Sequence, residues 1–357
     1  MKLLSLTLNE ITESNSDYQK IAEELHGRLT KPAGSLGDLE EVGIKISKIQ
    51  SKCPPEIISK PAVVVFAGDH GVLDESVTPW PKEVTMQMVY NFLNNTAAIN
   101  VIANTVAADV FVVDAGVSQD LDNLGNNSKF LIKKIGYSTK NIVKEDAMDY
   151  DQAVASIEAG IEVAEELVDQ RYDLLVTGDM GIGNTTPSAA VISCLSNTDP
   201  KFVTGRGTGI DDKMLEGKVR AIEAAIKRYK LSYDSNDPIQ ALCSLGGFEI
   251  GEIAGFILGA AKRKVPVILD GVISLAGALI AYELCSKITD YSFAGHLSVE
   301  PGAKIVLNIL GLSPLLNLNM RLGEGTGGTL SIPIVKAAVN ILNDMATFDS
   351  ANVSTKD

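Results

Sequence analysis

Short apolar runs that end in glycine or acidic turns constrain the fold of this chain more than any other feature. The clearest runs cover residues 62–66, 110–113, 174–176 and 265–269, and weaker candidates cover 130–135 and 291–295. Because these runs are nearly continuous and lack polar alternation, they are typical of strands buried on both faces of a parallel sheet.

Helical patterns fill the intervals between these runs, over residues 83–104, 151–169, 185–197, 212–229, 250–262 and 272–286. Alternation of strands and helices predicts an α/β protein with a doubly wound parallel sheet. Ligands of such sheets bind beyond the carboxyl ends of the strands, which is where the glycine and acidic turns of this chain fall.

The two ends of the chain differ from its middle. Residues 1–30 and 302–346 have mainly helical patterns without a strand, so we expect the termini to form a small helical domain. A large α/β domain would then cover residues 31–301. The polar segment 231–238 ends in proline and predicts a loop, and residues 347–357 predict a frayed tail.

The composition excludes several classes of protein. The 357 residues are 45% hydrophobic, so the chain can bury a sizeable core and is not a disordered protein. The 31 lysine and arginine residues against 45 aspartate and glutamate residues give a net charge of −14. Since that charge opposes phosphate backbones and anionic bilayers, we expect neither nucleic acid nor membrane as a partner.

The cysteines and the apolar segments predict a soluble, cytoplasmic protein. The cysteines are widely spaced without a CxxC pair, which predicts buried reduced thiols at Cys53, Cys194, Cys243 and Cys285. The N-terminus has no small-residue cleavage site, so we do not expect a secretory signal. The most apolar stretch is interrupted by Glu283 and is too short to span a bilayer.

The motif with the most candidate ligand-binding groups is TGDMGIGNTTPSAA, residues 177–190, which lies between a predicted strand and a predicted helix. Gly181 and Gly183 allow a sharp turn, while Asn184 and Thr185 supply capping and donor groups. Such a turn directs free N–H groups and the positive helix end at an anion, typically phosphate. The alternative is an ordinary glycine-rich turn before a well-capped helix.

A second glycine turn, GRGTGIDDKMLEGK at residues 205–218, includes Gly207 and leads into a helix with Lys213 and Lys218. A lysine beside such a turn would give an acidic protein the point charge that it needs to hold a phosphate monoester. The alternative is a solvated lysine on an exposed helix face, which we favour for Lys213 and leave open for Lys218.

A third turn, RLGEGTGG at residues 321–328, places Glu324 between two glycines. GEGTGG matches the dinucleotide pattern GxGxxG formally, but residues 317–322 before it do not resemble a strand, so that interpretation fails its context. A flat ligand can approach a carboxylate between glycines closely, and partial desolvation would suit Glu324 to act as a general base. The alternative is a carboxylate favoured by the dipole at the start of a helix.

Two remaining segments have simpler explanations. Asp69 and His70 in AGDHGV follow a predicted strand but lack further ligands for a metal, so we expect a structural or hydrogen-bonding role for His70. Trp80 stands between two prolines, and Met88 lies on the helix that follows. Residues of these types at such spacing fill a core more often than they line a ligand site.

Taken together, the motifs resemble one known family over essentially the whole chain and in the same order. They are KPAGSLGDLE, AGDHGV, PKEVTMQMVYNFL, TGDMGIGNTTPSAA, GGFEIGEIAGFILGAA, VILDGVISLAGALIA, HLSVEPGAKIVL and MRLGEGTGG. The chain is similar to nicotinate-nucleotide:dimethylbenzimidazole phosphoribosyltransferases. The resemblance implies a Rossmann-like sheet with a small helical domain from both termini, in a dimer.

The resemblance also implies the reaction. An aromatic base displaces nicotinate from nicotinate mononucleotide and inverts the anomeric carbon, which gives an α-ribotide phosphate for cobamide synthesis, with no metal or redox cofactor. The family's general base falls on Glu324, its phosphate-binding turn on Gly181 through Thr185 including Asn184, its second glycine turn on Gly207 and its lysine on Lys218.

This chain departs from the family pattern at three positions. Asp179 stands where members commonly have glutamate, Trp80 where they can have serine and Met88 where they can have glutamine. The resemblance assigns Trp80, Met88 and Leu322 to the pocket for the aromatic base. An indole and a thioether narrow that pocket and remove hydrogen-bonding groups, so we expect phenol or p-cresol to be accepted at least as well as benzimidazole.

The sequence is compatible with two forms of assembly and with two other functions. Phenol-using members work as pairs of paralogues, so the chain forms either a homodimer or a heterodimer with a paralogous subunit. One alternative is a non-catalytic or regulatory subunit of the same fold, although Glu324 and Lys218 are retained. A nicotinamide-dependent dehydrogenase is suggested only by the α/β alternation and the formal GxGxxG.

Overall fold

A computed structural model describes residues 2–207, 209–233 and 237–354. Its centre is a seven-stranded sheet whose strands run parallel. The strands are β1 Pro61–Gly68, β2 Asp109–Gly116, β3 Phe130–Ile132, β4 Leu174–Met180, β5 Val267–Leu269, β6 Ser292–His296 and β7 Pro314–Leu316. Their order in the sheet is β3-β2-β1-β4-β5-β6-β7.

Helices cover both faces of the sheet. The first eight are α1 Lys2–Glu10, α2 Asp17–Arg28, α3 Asp38–Gln50, α4 Glu83–Leu93, α5 Ala98–Thr105, α6 Tyr150–Asp169, α7 Thr185–Leu195 and α8 Pro200–Val203. The others are α9 Asp212–Ser232, α10 Pro238–Leu245, α11 Phe248–Lys262, α12 Val272–Leu284, α13 Pro301–Leu310, α14 Thr326–Leu330, α15 Ile332–Asp344 and α16 Phe348–Ala351. The predicted doubly wound, Rossmann-like α/β fold is confirmed.

The order of the strands reverses between β1 and β4. From β1 the chain builds outwards through β2 and β3, and it then returns to pair β4 with the free edge of β1. All eight residues of β1 are buried, as the unbroken apolar run predicts. Ligands of doubly wound sheets bind beyond the carboxyl ends of the strands near such a reversal, so this edge is where a site is expected.

Two nearly fully buried helices carry much of the core beside the sheet. Residues 248–261 of α11 and 272–281 of α12 are buried, and the two helices pack against each other. α11 also packs along α6. A Cβ on Gly160 of α6 would lie 1.8 Å from the carbonyl oxygen of Glu252, so the backbones of α6 and α11 touch at this glycine.

The predicted helix over residues 83–104 is broken in two. α4 ends at Leu93 and α5 begins at Ala98, with Asn95 in the left-handed region at φ 58°. The Asn100 side chain accepts a hydrogen bond from the N–H of Ala97 and donates one to the carbonyl of Phe92. Asparagine side chains that bond to nearby backbone groups compete with helical bonds, which explains the break.

The prediction that residues 302–346 contain no strand is wrong, because β7 lies within them. β7 pairs with β6 at the edge of the sheet and is three residues long. A strand this short, which begins with Pro314, carries no readable alternation, and proline is tolerated in a sheet at the first position of an edge strand.

The terminal helices meet, although not as one group. α15 packs against α2 and α3, and an antiparallel bridge joins Leu29 to Thr347. α1 packs against α6 and α11 instead. The proposed division into 31–301 and a small domain of 1–30 with 302–346 stays a prediction.

The structure differs in part from the predicted loop at 231–238, from the predicted burial of the four cysteines and from the predicted tail at 347–357. α9 extends to Ser232, into the predicted loop, and residues 234–236 lie outside the described residues. The four cysteines are free, but Cys53 and Cys285 are only half-buried. Thr347 caps α16, so the predicted frayed tail is wrong there, and residues 355–357 lie outside the description.

Among the described residues, no helix has both the length and the apolar character needed to cross a bilayer.

The contact between α6 and α11 leads to a stability prediction. In Gly160→Ala the new methyl group meets a backbone carbonyl, so the helices must separate and the free energy of unfolding should fall by about 3 kcal/mol. Gly27→Ala on α2 is the matched control, because a Cβ there meets nothing within 4 Å and should stabilise the helix by about 0.5–1 kcal/mol. Denaturant unfolding measures both, and equal stabilities would contradict the close approach.

Candidate active site

A cavity of about 340 Å³ opens at the carboxyl ends of β4, β5 and β6. Its walls are residues 179–182, 184 and 185 at the end of β4 and beyond it, 271–273 at the start of α12, 296, 298 and 300 at the end of β6 and beyond it, 321–324 before α14, and Trp80, Val84, Met88 and Gly207. Three of the motifs singled out in the sequence therefore meet in one cavity, beside the reversal of strand order.

Glu324 lies in the loop before α14 and is 6% exposed. It adopts a left-handed backbone conformation at φ 62°, and its N–H donates to the carbonyl of Asp179 at 3.2 Å. One side-chain oxygen, Oε2, accepts a hydrogen bond from the N–H of Ile99 at 3.4 Å. Burial raises the pKa of the Glu324 carboxyl, the bond from Ile99 opposes that rise, and the nearby Asp270 adds to it.

Asp179, near the end of β4, is a second buried carboxyl group in the cavity wall. Burial raises its pKa well above the usual range, and the charge of Asp270 adds to the rise. Its Oδ2 atom accepts a hydrogen bond from the Asn184 amide at 2.9 Å. The predicted capping role of Asn184 is therefore wrong, since its side chain bonds to Asp179 and makes no cap bond to α7, which begins at Thr185.

Lys218 joins the two glycine turns from behind the cavity. Its Nζ atom donates to Thr185 Oγ1 at 2.7 Å and to the carbonyl of Gly205 at 3.2 Å. The side chain is buried, which lowers its pKa to about 8. Thr185 and Gly207 stand between this ammonium group and the cavity, whereas Lys213 on the same helix is exposed, as expected.

An acidic side chain that the sequence analysis missed holds the second turn. Glu300 is buried, and its Oε1 atom accepts a hydrogen bond from the N–H of Gly207 at 2.8 Å. Arg321 Nη1 donates to the carbonyl of the same glycine at 2.7 Å. Both backbone groups of Gly207 are thus fixed by side chains from distant parts of the chain, which no local pattern indicates.

The expectation that Trp80 fills the core is wrong. Its side chain is 51% exposed and lines the mouth of the cavity, together with Val84 and Met88 of α4 and Leu322. Val84 and Met88 are four residues apart, so they share one face of the helix. Prolines on both sides of Trp80 keep its segment outside α4, which explains why the indole lies at the surface.

His70 lies two residues after the end of β1, and its ring lies next to Gly181 of the first glycine turn. Its Nε2 atom lies 2.9 Å from Oε1 of Glu249, and both side chains are buried. A Cβ on Gly181 would lie 3.3 Å from this nitrogen and 2.4 Å from the carbonyl oxygen of Gly68. The histidine pairs with a carboxyl group, in agreement with the expected structural role. The described residues contain no group of three or more side chains able to hold a metal.

Asp270 and His296 are further site residues that the sequence analysis missed. Asp270 directly follows β5 and His296 is the last residue of β6, so both stand at carboxyl ends of strands. The Asp270 carboxylate accepts hydrogen bonds from the N–H groups of Gly325 and Gly328. A search for polar residues at the carboxyl end of each predicted strand would have found both side chains, because ligands of a parallel sheet bind beyond those ends.

Comparison with known proteins gives a consistent result. A family model described as phosphoribosyltransferase matches residues 11–353. A nicotinate-nucleotide–dimethylbenzimidazole phosphoribosyltransferase of Geobacter sulfurreducens is 46% identical over 357 residues, covering 100% of both chains. One of Salinispora tropica is 45% identical and covers 99% of this chain and 100% of its own.

A solved structure agrees with the sequence comparisons. The crystal structure of the enzyme of that name from Thermus thermophilus superposes with a TM-score of 0.90 at 39% identity. The match covers 96% of this chain and 100% of the other. The chain therefore belongs to the nicotinate-nucleotide–dimethylbenzimidazole phosphoribosyltransferase family and is an enzyme of the pentosyltransferase class.

Proposed function

We propose that this enzyme displaces nicotinate from nicotinate mononucleotide with an aromatic base and produces an α-ribotide 5′-phosphate for cobamide biosynthesis. Full-length similarity to enzymes named for nicotinate nucleotide and dimethylbenzimidazole supports the substrates. The observation that carries the proposal is the position of Glu324, a buried carboxyl group with a raised pKa in the wall of a cavity beside two glycine turns.

The phosphate end of the nucleotide would bind where the glycine turns meet. Gly181, Asn184 and Thr185 line the cavity at the start of α7, where the positive end of the helix favours an anion. Lys218 adds a positive charge behind Thr185 and Gly207. This local field offsets the net charge of the chain, which would otherwise repel the nucleotide.

The chemistry requires little besides positioning and the removal of one proton. A nitrogen or oxygen atom of the acceptor forms the new bond to ribose C1. The bond from C1 to the pyridinium nitrogen breaks, and its electron pair neutralises the positive ring, so nicotinate leaves unaided. Glu324 takes the proton of the acceptor, and a raised pKa brings its basicity closer to the operating pH. Asp179, beside it, would hold the ribose.

The pocket for the aromatic base would lie at the apolar mouth of the cavity. Met88 and Leu322 present carbon and sulfur surfaces there, and Trp80 adds an aromatic ring whose one polar group is the indole N–H. We propose that phenol or p-cresol is accepted at least as well as a benzimidazole and yields an O-linked ribotide. We further propose a cytoplasmic dimer, either of identical chains or with a paralogous subunit.

The first test removes the proposed base. Glu324→Gln keeps the size of the side chain but cannot take up a proton, so kcat should fall by about 100-fold or more. The KM for nicotinate mononucleotide should change little. Release of nicotinate by the chain alone is the measurement, and Glu283→Gln, on an exposed part of α12, is the matched control.

Two results would contradict this assignment. Unchanged turnover of Glu324→Gln would show that Glu324 is not the base. Nicotinate release that occurs only with a second, paralogous chain present would favour a non-catalytic subunit.

The second test concerns the acceptor. Replacement of the two unusual side chains in Trp80→Ser/Met88→Gln widens the pocket and restores polar groups, so the preference should move towards dimethylbenzimidazole. We expect the ratio of kcat/KM for dimethylbenzimidazole over that for p-cresol to rise by about 10-fold or more. Chromatography of the ribotide products measures the ratio, and Trp80→Phe is the control that keeps an aromatic ring. An unmodified enzyme without detectable phenolic product would contradict the proposal.

The third test uses the titration of Lys218. Its pKa of about 8 means that the ammonium group is charged below pH 8 and becomes neutral above it. Binding of sulfate, a tetrahedral anion whose charge is constant from pH 7 to 9.5, should therefore weaken as the pH rises through this value. Lys218→Met should bind about 10-fold more weakly at pH 7 and lose that pH dependence. Lys213→Met controls for the loss of a positive charge from α9, and equal binding by both variants would contradict the role of Lys218.

A further inference from the structure

Asp270 connects the loop that carries Glu324 to the end of β5. The side chain is 1% exposed, and both of its oxygen atoms accept backbone hydrogen bonds. Oδ2 accepts from the N–H of Gly325 at 3.1 Å, and Oδ1 accepts from the N–H of Gly328 at 2.9 Å. Two N–H donors on one carboxylate form a strong, directional clamp, because hydrogen bonds to a charged acceptor are about twice as strong as neutral ones.

The clamped loop needs such support, because Glu324 and Gly325 are both left-handed, at φ 62° and 85°. For a residue other than glycine this conformation costs about 1–2 kcal/mol. Residues in such conformations persist where the surrounding structure determines them, often at functional sites. Here the N–H of Glu324 bonds to Asp179 and the N–H of Gly325 bonds to Asp270, so the loop is fixed from β4 and from β5.

His296 completes the contact on the other side of Asp270. Its Nε2 atom lies 3.4 Å from Oδ1 of Asp270, and the ring lines the cavity. A Cβ on Gly327 would lie 2.1 Å from Cδ2 of the ring, so the histidine packs directly on the first turn of α14. Asp270 therefore ties the loop of Glu324 to the cavity wall that β6 supplies.

We infer that Asp270 is a positioning residue for Glu324: its carboxylate holds the left-handed loop over the cavity and places a negative charge beside the base. The inference rests on the proposed role of Glu324 as the base. Asp270 itself does not line the cavity, so it acts through Glu324 and not on the substrate.

The negative charge of Asp270 predicts in which direction the pKa of Glu324 changes when that charge is removed. The charge of Asp270 raises the pKa of Glu324, in addition to the effect of burial, and it also raises the pKa of Asp179. The other groups packed here are His296 from β6, the Asp179 carboxyl from β4, which interacts electrostatically with Glu324, and the N–H of Ile99 from α5, which lowers the pKa of Glu324. Removal of the Asp270 charge should therefore lower the pKa of the base.

The test is Asp270→Asn in the full-length enzyme. An amide has only one oxygen, so one of the two loop bonds is lost, and kcat should fall by about 10-fold or more because the base is misplaced. The KM for nicotinate mononucleotide should stay within about twofold, since the groups proposed to bind phosphate are unchanged. The acid limb of the kcat profile should move to lower pH by about one unit.

Hydrogen exchange supplies a measurement that does not depend on activity. The amides of residues 325–328 should exchange faster in Asp270→Asn than in the parent enzyme. Asp114→Asn is the matched control, because Asp114 is also buried near a strand end and accepts a backbone bond from Val117 at 3.0 Å. The control should lose stability but leave both the acid limb and the exchange of residues 325–328 unchanged.

The outcomes separate this inference from the proposed function. Parental kcat, an unmoved acid limb or unchanged exchange at residues 325–328 in Asp270→Asn would overturn the inference even if Glu324→Gln is inactive. An active Glu324→Gln would overturn the proposed base, whatever the exchange shows. If Asp270→Asn does not fold, Asp270→Glu is the second variant, because it keeps the charge and displaces the carboxylate. Its kcat should fall while the acid limb of the pH profile stays at the same pH. Full activity of Asp270→Glu would refute the positioning role.

Discussion

The mutual repulsion of three buried carboxyl groups is the constraint around which the site is built. Asp179, Asp270 and Glu324 converge at the carboxyl ends of β4 and β5, where burial and like charge raise the pKa of Asp179 and Glu324. Each group has a hydrogen-bond donor that limits the cost: the Asn184 amide, two glycine N–H groups and the N–H of Ile99. The fold thereby keeps Glu324 buried with a raised pKa in the wall of the cavity.

Positive groups collect at the opposite end of the cavity. Lys218, Arg321 and the start of α7 surround Gly207 and Thr185, where Glu300 contributes a carboxyl group bonded to Gly207. Asp270 and Glu324 lie on the β5 side of the cavity. A ligand with one anionic end and one reactive carbon would be oriented by this polarity before any chemistry takes place. Such orientation supplies much of the barrier reduction in a reaction whose leaving group is already activated. The strongly acidic chain thus provides for an anion locally and not through its overall field.

The sequence predicts the parts of the fold that depend on local patterns. The unbroken apolar runs identify β1, β2 and β4, and the glycine turns identify the loops that reach the cavity. Features that depend on distant partners escape such reasoning: Asn184 bonds to Asp179 and not to its own helix, and Trp80 lines a ligand cavity although its neighbours suggest a core. β7 escapes because three residues carry no periodicity.

Asp270 shows that the position of a residue at a strand end can be read from the sequence while its bonding partners cannot. One aspartate after a strand is compatible with a turn, a cap or a surface loop, and only the fold brings Gly325 and Gly328 within reach of its oxygens. The same contact explains why Glu324 stands between glycines: the loop must turn through left-handed conformations and pass close to β4 and β5. Gly325 serves both purposes, because it flanks Glu324 in the left-handed turn and its N–H group bonds to Asp270.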